Sequence, residues 1–296
     1  MQPLITIGMP VFNDVDFIEE SIESVRVQTF SNWQMIISDD GSTDGSQKIC
    51  EQFAKLDDRI TYIRQVENLG ISKNMQFLLK QANTKYFMWA GDDDLYDKYF
   101  IEKCISVLES HSDAVSAFAT MAKIDENGNL LENSIDNDYR SNHRFGRLIG
   151  YIRNATDYFG YGIFRTDKIK GVKFPVWWWP NKKSPYNNIY PTLCYYLAKG
   201  NYIHVKGLPL FYKRTKTGAN VHHVLTGENN AIKESFAYWI RKFNLVCFSF
   251  QQIRRASSIF ISISVSPALF YYWFMVPSWK QFLLAAGSFF KNRFKQ

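Results

Sequence analysis

The residues in this chain best suited to chemistry are three adjacent carboxylates, Asp92-Asp93-Asp94. Packed together without compensation they repel one another and lose hydration, so they are either solvated or neutralised by a cation. Their oxygens are hard donors of the kind that Mg2+ or Mn2+ prefer, and these ions commonly bind one or two carboxylates together with substrate phosphates. The competing reading is a solvated acidic loop leading into the next helix. A second cluster, Asp39-Asp40-Gly41-Ser42-Thr43-Asp44, offers Asp40 as an acceptor for a base or ribose, as an acidic residue near a strand end does in dinucleotide folds. An Asx turn with a helix cap accounts for most of Ser42 to Asp44, but for less of Asp40.

Both clusters close apolar runs that read as strands. Leu4 to Met9 is a β-branched run ended by Pro10, Trp33 to Ser38 runs into Asp39, and Tyr86 to Ala90 runs into Gly91. Ile60 to Arg64 is a further strand. Between them lie helical spacings: Ile18, Ile22 and Val25; Ile49, Cys50 and Phe53 after Gly45, with Ser42 or Thr43 as cap; and Ile71 to Ala82 with Met75, Leu78 and Leu79 inward. Alternating strands and helices predict an α/β fold, a parallel sheet covered on both faces. Ligands of such sheets bind beyond the carboxyl ends of the strands, where both acidic clusters fall.

Composition sets wider bounds. The 296 residues suffice for a large core, and 46% hydrophobic with 21% charged residues argues against disorder. A formal charge of +7 favours polyanions: nucleic acid, nucleotide phosphates or an anionic membrane. Cys50, Cys104, Cys194 and Cys247 form no CxxC pair, which offers neither a zinc cluster nor a compact disulfide framework and suits a reduced, cytosolic setting. The amino terminus shows no basic stretch followed by an apolar run, as a signal peptide would. The middle is less regular, with a turn at Glu126-Asn127-Gly128-Asn129, a Tyr158 to Gly162 segment and Trp177-Trp178-Trp179-Pro180. From about Glu228 the pattern is helical again, with Phe236, Trp239, Ile240, Phe243, Val246, Cys247, Phe250 and Ile253 on one stripe.

The order of motifs resembles family 2 glycosyltransferases of the GT-A fold. The resemblance is carried by Pro10-Val11-Phe12-Asn13, Ser21 to Phe30, Ile36 to Asp44, Asn68-Leu69-Gly70-Ile71-Ser72-Lys73-Asn74 and Gly91-Asp92-Asp93-Asp94, over about the first 100 residues. It implies that Pro10, Phe12 and Asp40 line the base pocket, with Asp40 accepting from uracil if the donor is a UDP-sugar. It implies that Lys73 stands near the diphosphate, where relatives often carry Arg. It implies that Asp92 belongs to the donor-binding acidic motif, with Asp93 and Asp94 as metal ligands, although Gly91 replaces the first Asp of the family's Asp-x-Asp-Asp. An inverting transfer needs a base to take the acceptor proton, and relatives draw an acid from the second half. Leu197-Ala198-Lys199-Gly200 and Pro209 to Arg214 resemble that distal region, but the expected acid position reads Asn187-Asn188-Ile189-Tyr190-Pro191. Asp157 is the candidate base, with Asp167 and His222-His223 as substitutes. The tryptophans of 177–179 suit a sugar face, a membrane interface or a core plug, and Arg214 with Lys216 suits a lid over the diphosphate or a solvated basic loop.

No charged residue lies between Arg255 and Lys280, but six serines and Pro267 and Pro277 interrupt that stretch, and Ile261 to Ser266 alternates with period two. An interfacial segment fits this better than a spanning helix, with Tyr271, Tyr272, Trp273, Phe274 and Trp279 at headgroup depth and Arg254, Arg255, Lys280, Lys291, Arg293 and Lys295 facing anionic lipid. Helices packed back on the catalytic domain are the alternative. The expected organisation is a nucleotide-sugar half (1–115), an acceptor half (116–225) and a C-terminal helical extension (226–296). The expected activity is inverting, metal-dependent hexosyl transfer from a nucleotide-sugar donor to a polysaccharide or lipid-linked glycan acceptor, in the cytoplasm and peripheral at the inner face of the plasma membrane. A catalytically inactive nucleotide-sugar-binding module is the rival. A nucleotidylyltransferase would open with a glycine-rich basic loop that is missing here, and a nucleic-acid binder would carry a recognisable motif.

Overall fold

The structure, a computed structural model, describes residues 2–133, 143–154, 158–174, 177–178, 185–186, 189–215 and 231–275. Strands and helices alternate at first: β1 (Ile5–Val11), α1 (Ile18–Arg26), β2 (Trp33–Asp39), α2 (Ser46–Leu56), β3 (Ile60–Arg64), α3 (Ile71–Gln81) and β4 (Tyr86–Trp89). Short β5 (Leu95–Tyr96), α4 (Phe100–Ser110), β6 (Ala114–Ala119), β7 (Met121–Ile124), β8 (Leu130–Asn133) and α5 (Arg144–Arg153) follow. A 3-10 turn at Tyr158–Tyr161 leads to β9 (Ile163–Arg165) and α6 (Thr166–Ile169). The ladder of β10 (Trp177–Trp178) with β11 (Pro185–Tyr186) precedes α7 (Tyr190–Lys199), β12 (Asn201–Val205) and β13 (Phe211–Arg214), and α8 (Ala231–Ala256), α9 (Ile259–Leu269) and a π-helical turn (Phe270–Met275) complete the described chain.

The main sheet runs β12-β6-β9-β4-β1-β2-β3 and is parallel except for β9, which lies antiparallel between β4 and β6. Its central strands are buried on both faces, as a parallel sheet clad with helices requires: Ile5, Ile7 and Met9 are inaccessible, and so is Thr6. The Thr6 hydroxyl is satisfied by Thr84 Oγ1 at 2.7 Å, which removes the penalty of burying it. Because β1 is in parallel register with β2 (Val11 beside Asp39) and with β4 (Gly8 beside Trp89), the carboxyl ends of all three open at one edge.

A second sheet, β5-β13-β7-β8, stands at that edge. β5 follows the acidic triplet directly and pairs with β13, so the distal strand is bound to the loop that carries the carboxylates. The C-terminal helices pack back on the domain, α8 along α7 and α9 against α5 and α8. Two sequence expectations change locally. Neither Ser42 nor Thr43 caps α2; its cap is Gly45, at φ 114°. The alternating Ile261 to Ser266 stretch is helical within α9, with the Ser258 hydroxyl accepting the Ile261 N–H at the helix start. No helix among the described residues is long and apolar enough to cross a membrane.

Candidate active site

The site begins at the end of β1. Asn13 turns the chain with a left-handed backbone (φ 54°), a conformation that Asn tolerates better than most side chains. The turn is clamped from the β2 side. Asn13 donates its N–H to Ser42 Oγ (3.0 Å) and accepts the Thr43 N–H (2.8 Å), Asp14 donates to Ser46 Oγ (3.0 Å), and Val15 donates to Asp44 Oδ2 (2.9 Å). The cluster from Asp39 to Asp44 thus serves mainly as scaffold. Asp39 is an Asx-turn residue, accepting the Ser42 N–H at 2.8 Å on one oxygen and the Tyr62 hydroxyl and Arg64 guanidinium on the other.

This turn directs Asp14 toward the end of β4. One carboxylate oxygen from each of Asp14, Asp92 and Asp93 lies within 4.8 Å of the others, a spacing that suits one small hard cation. Asp14 is buried, whereas Asp92 and Asp93 are half-buried. Burial, then the charges of Asp14 and Asp93, pushes the Asp92 carboxyl up to about 7. Phe12 donates its N–H to Asp92 Oδ2 at 3.2 Å, so the two strand ends are joined directly. The set consists only of carboxylate oxygens, which fits Mg2+ or Mn2+ and not a softer ion.

Asp94 stands outside this group. It is 3% exposed, and its Oδ1 accepts the backbone N–H of Arg214 on β13 at 3.1 Å. Burial and the nearby Asp93 charge push its pKa up. Gly91 leaves room for this arrangement: a Cβ there would meet Asp94 Oδ2 at 2.5 Å, so the Asp94 side chain would have to shift. Arg214 is no lid. Its side chain is 2% exposed, lies over the Phe17 ring at 4.5 Å, and donates to the Asp93 carbonyl (3.0 Å), the Glu126 carbonyl (2.7 Å) and Glu20 Oε2 (2.8 Å). It straps the acidic loop to α1 and to the β7–β8 turn.

Asp40 is 2% exposed, and its two oxygens accept the N–H groups of Leu69 (2.7 Å) and Gly70 (2.8 Å). Gly70, at φ 76°, starts α3, and Lys73 is exposed in the first turn, where the helix dipole and N–H groups favour an anion. Asn74 anchors that turn through Ser38, donating to its carbonyl at 2.9 Å. Pro10 is half-buried and the Phe12 ring is 50% exposed at the same edge. The strand ends thus bring Pro10, Phe12, Asp40, Lys73, Asp92 and Asp93 to one side of the sheet. Asp157, Lys216, His222-His223 and Asn187-Asn188 lie outside the described residues. Asp167 is in α6, paired with Lys168 at 3.0 Å. A separate 820 Å³ cleft runs along α1, lined by Asp16, Glu19, Glu20 and Glu23, whose charge is wrong for a diphosphate.

Asp14 is the residue that sequence reasoning missed. Its signal was the Asn13 turn: a residue prone to left-handed backbone immediately before an acid, at the end of a buried strand.

The sequence profile of glycosyl transferase family 2 matches residues 6–173, more than half of the chain. The chain belongs to that family and has the GT-A fold. TuaG of Bacillus subtilis, named for glycosyl transfer in teichuronic acid biosynthesis, is 33% identical over 45% of this chain and 53% of its own length. The chain therefore matches about half the length of that relative. S. aureus TarS, solved also with UDP and with UDP-GlcNAc, superposes with a TM-score of 0.61 at 15% identity, covering 90% of this chain and 73% of the solved one. The mannosyltransferase PcManGT of Pyrobaculum calidifontis, solved with GDP-Man and Mn2+, gives a TM-score of 0.52 at 12% identity, covering 97% of this chain and 80% of its own. At such identities the superpositions show the shared fold.

Proposed function

We propose that the chain moves a hexosyl group, with inversion, from a nucleotide-sugar donor, a UDP-sugar, to a hydroxyl of a polysaccharide or lipid-linked glycan at the cytoplasmic face of the membrane. The observation that carries the reading is the convergence of Asp14, Asp92 and Asp93 within 4.8 Å at the strand ends of a family 2 fold. The UDP and UDP-GlcNAc complexes of TarS support the choice of donor.

Asp14, Asp92 and Asp93 would hold a divalent cation, Mn2+ or Mg2+, which supplies electrostatic stabilisation of the negative charge that develops on the leaving diphosphate. Phe12 and Pro10 pack against the base, and Asp40 fixes the loop at Leu69 and Gly70 so that the N-terminus of α3 and Lys73 face the phosphates. Asp40 keeps lone pairs free to accept from the base as well. Arg214 keeps the acidic loop in register, so that its carboxylates are placed before the donor arrives. Asp157 takes the proton of the attacking acceptor hydroxyl.

The test is turnover of a radiolabelled UDP-, GDP- and TDP-sugar panel by the full chain, with Mn2+ and glycolipid extract. Metal-dependent release of one nucleotide with label passing to the extract supports the reading. Binding of a nucleotide sugar with neither transfer nor hydrolysis would instead identify a non-catalytic module.

A further inference from the structure

Helix α9 has its apolar surface on the wrong side for a protein in water. Ser262, Val265 and Leu269 face inward, while Phe260 (77% exposed), Ile263 (56%), Phe270 (44%) and Tyr271 (55%) line the outer side, with Ile259 at one end and Met275 at the other. A helix that is apolar all round is ordinarily enclosed. Among the described residues, this one is enclosed on one side only.

We propose that the outer face of α9 and of the π-helical turn Phe270–Met275 is a docking face for an anionic lipid bilayer, in which the helix lies in the plane of the interface. The proposal rests on the membrane-proximal acceptor put forward above and assigns the residues that make the contact. Charge selects this occupant: Arg254 and Arg255 are exposed beside the start of α9, and every charged residue from 235 to 296 is basic. A second copy of the chain would set like charge against like. Packing selects the orientation, since the inner side of α9 lies against α5 and α8 and only its outer side is open to lipid. The outward serine is prepared for an apolar medium: Ser264 returns its hydroxyl to the Phe260 carbonyl at 2.8 Å, and Ser266 beside it donates to the Ile263 carbonyl at 2.8 Å. Aromatic side chains such as Tyr271 suit headgroup depth.

The experiment is flotation of the full chain with vesicles of phosphatidylcholine alone or mixed with phosphatidylglycerol, paired with calorimetric nucleotide binding on the same samples. The wild type should float with the anionic vesicles and much less with the neutral ones. Phe260→Glu/Ile263→Glu and Arg254→Glu/Arg255→Glu should each lower the partition coefficient by about tenfold or more, with nucleotide binding unchanged. No flotation of the wild type with anionic vesicles, or undiminished flotation of both variants, would overturn the proposal. So would a wild-type dimer that Phe260→Glu/Ile263→Glu converts to monomer, which would place a second copy on this face. Loss of nucleotide binding by wild type with flotation intact would instead count against the donor reading alone.

Discussion

The Phe12 backbone N–H donates to Asp92 Oδ2 at 3.2 Å, joining the end of the strand that carries the base pocket to the loop that carries the carboxylates. Through this bond, the position of the aromatic ring expected to pack on the nucleotide base is tied to the position of a carboxylate expected to face the phosphates. Base and metal recognition should therefore be coupled energetically rather than additive.

Asp14→Ala should weaken Mn2+ binding in the absence of nucleotide by at least about tenfold, given that loss of even outer-sphere partners costs about 10–100-fold. Asp94→Asn should change it far less, because the Asp94 carboxylate faces the Arg214 N–H and not the cluster. Mn2+ titration followed by electron paramagnetic resonance reads both. Equal losses would return Asp94 to the ligand set.

Acidification should act on the site with a definite sign. Asp92 has an ordinary pKa of 3.8 and is pushed up to about 7 in the metal-free fold, by burial first and by Asp14 and Asp93 second. Between those values the native chain holds a proton that the unfolded chain releases, so this group's contribution to stability falls as pH rises from 3.8 to about 7 and then levels off. A cation binds the deprotonated form and relieves the penalty. The Mn2+-induced rise in melting temperature should therefore be larger at pH 8 than at pH 6, and Asp92→Asn should flatten the difference.

Asp40→Ala should orphan the Leu69 N–H and leave the Gly70 N–H only its bond to Asn68 Oδ1 at 3.0 Å. Both residues are partly exposed, so water replaces part of the loss, and stability should fall by about 1–3 kcal/mol in urea unfolding. Nucleotide affinity should drop with it, because the start of α3 loses its tether. Unchanged stability would show that the loop holds its shape without Asp40.

Arg214→Ala should cost about 1–3 kcal/mol, because it leaves the Asp93 and Glu126 carbonyls without their donor, while the exposed Glu20 carboxylate rehydrates. Arg214→Lys should recover only part of this, since one ammonium cannot reproduce the fork. Guanidinium unfolding measures the stability loss, and the Mn2+ titration checks that the acidic loop loosens with it.

The strand and helix periodicities of the first hundred residues were plain because each element has one clear period and ends in its own punctuation: Pro10, the Asp39 turn and Gly91. What escaped were features set by pairing across the chain. Asp14 meets Asp92 only through the β1–β4 register and the Asn13 turn. Arg214 resembled a mobile basic residue because its partners, Asp93, Glu126 and Glu20, lie 88 to 194 positions away in sequence. Gly91, read as a departure from the family's acidic motif, makes room for the Asp94 carboxylate. The alternating Ile261 to Ser266 stretch is helical, with Ser262, Val265 and Leu269 packed inward against α5 and α8 and the serine hydroxyls satisfied within the helix, which no period-two count reveals.

The central claim is that the carboxylates at the ends of β1 and β4 hold a divalent cation that binds a nucleotide. Calorimetric titration of UDP, GDP and TDP, with and without Mn2+, into wild type and Asp93→Ala tests it most directly. The account predicts Mn2+-dependent binding of UDP that Asp93→Ala abolishes. Absence of binding to any of the three nucleotides with Mn2+ present, or binding indifferent to both the metal and the substitution, would contradict it.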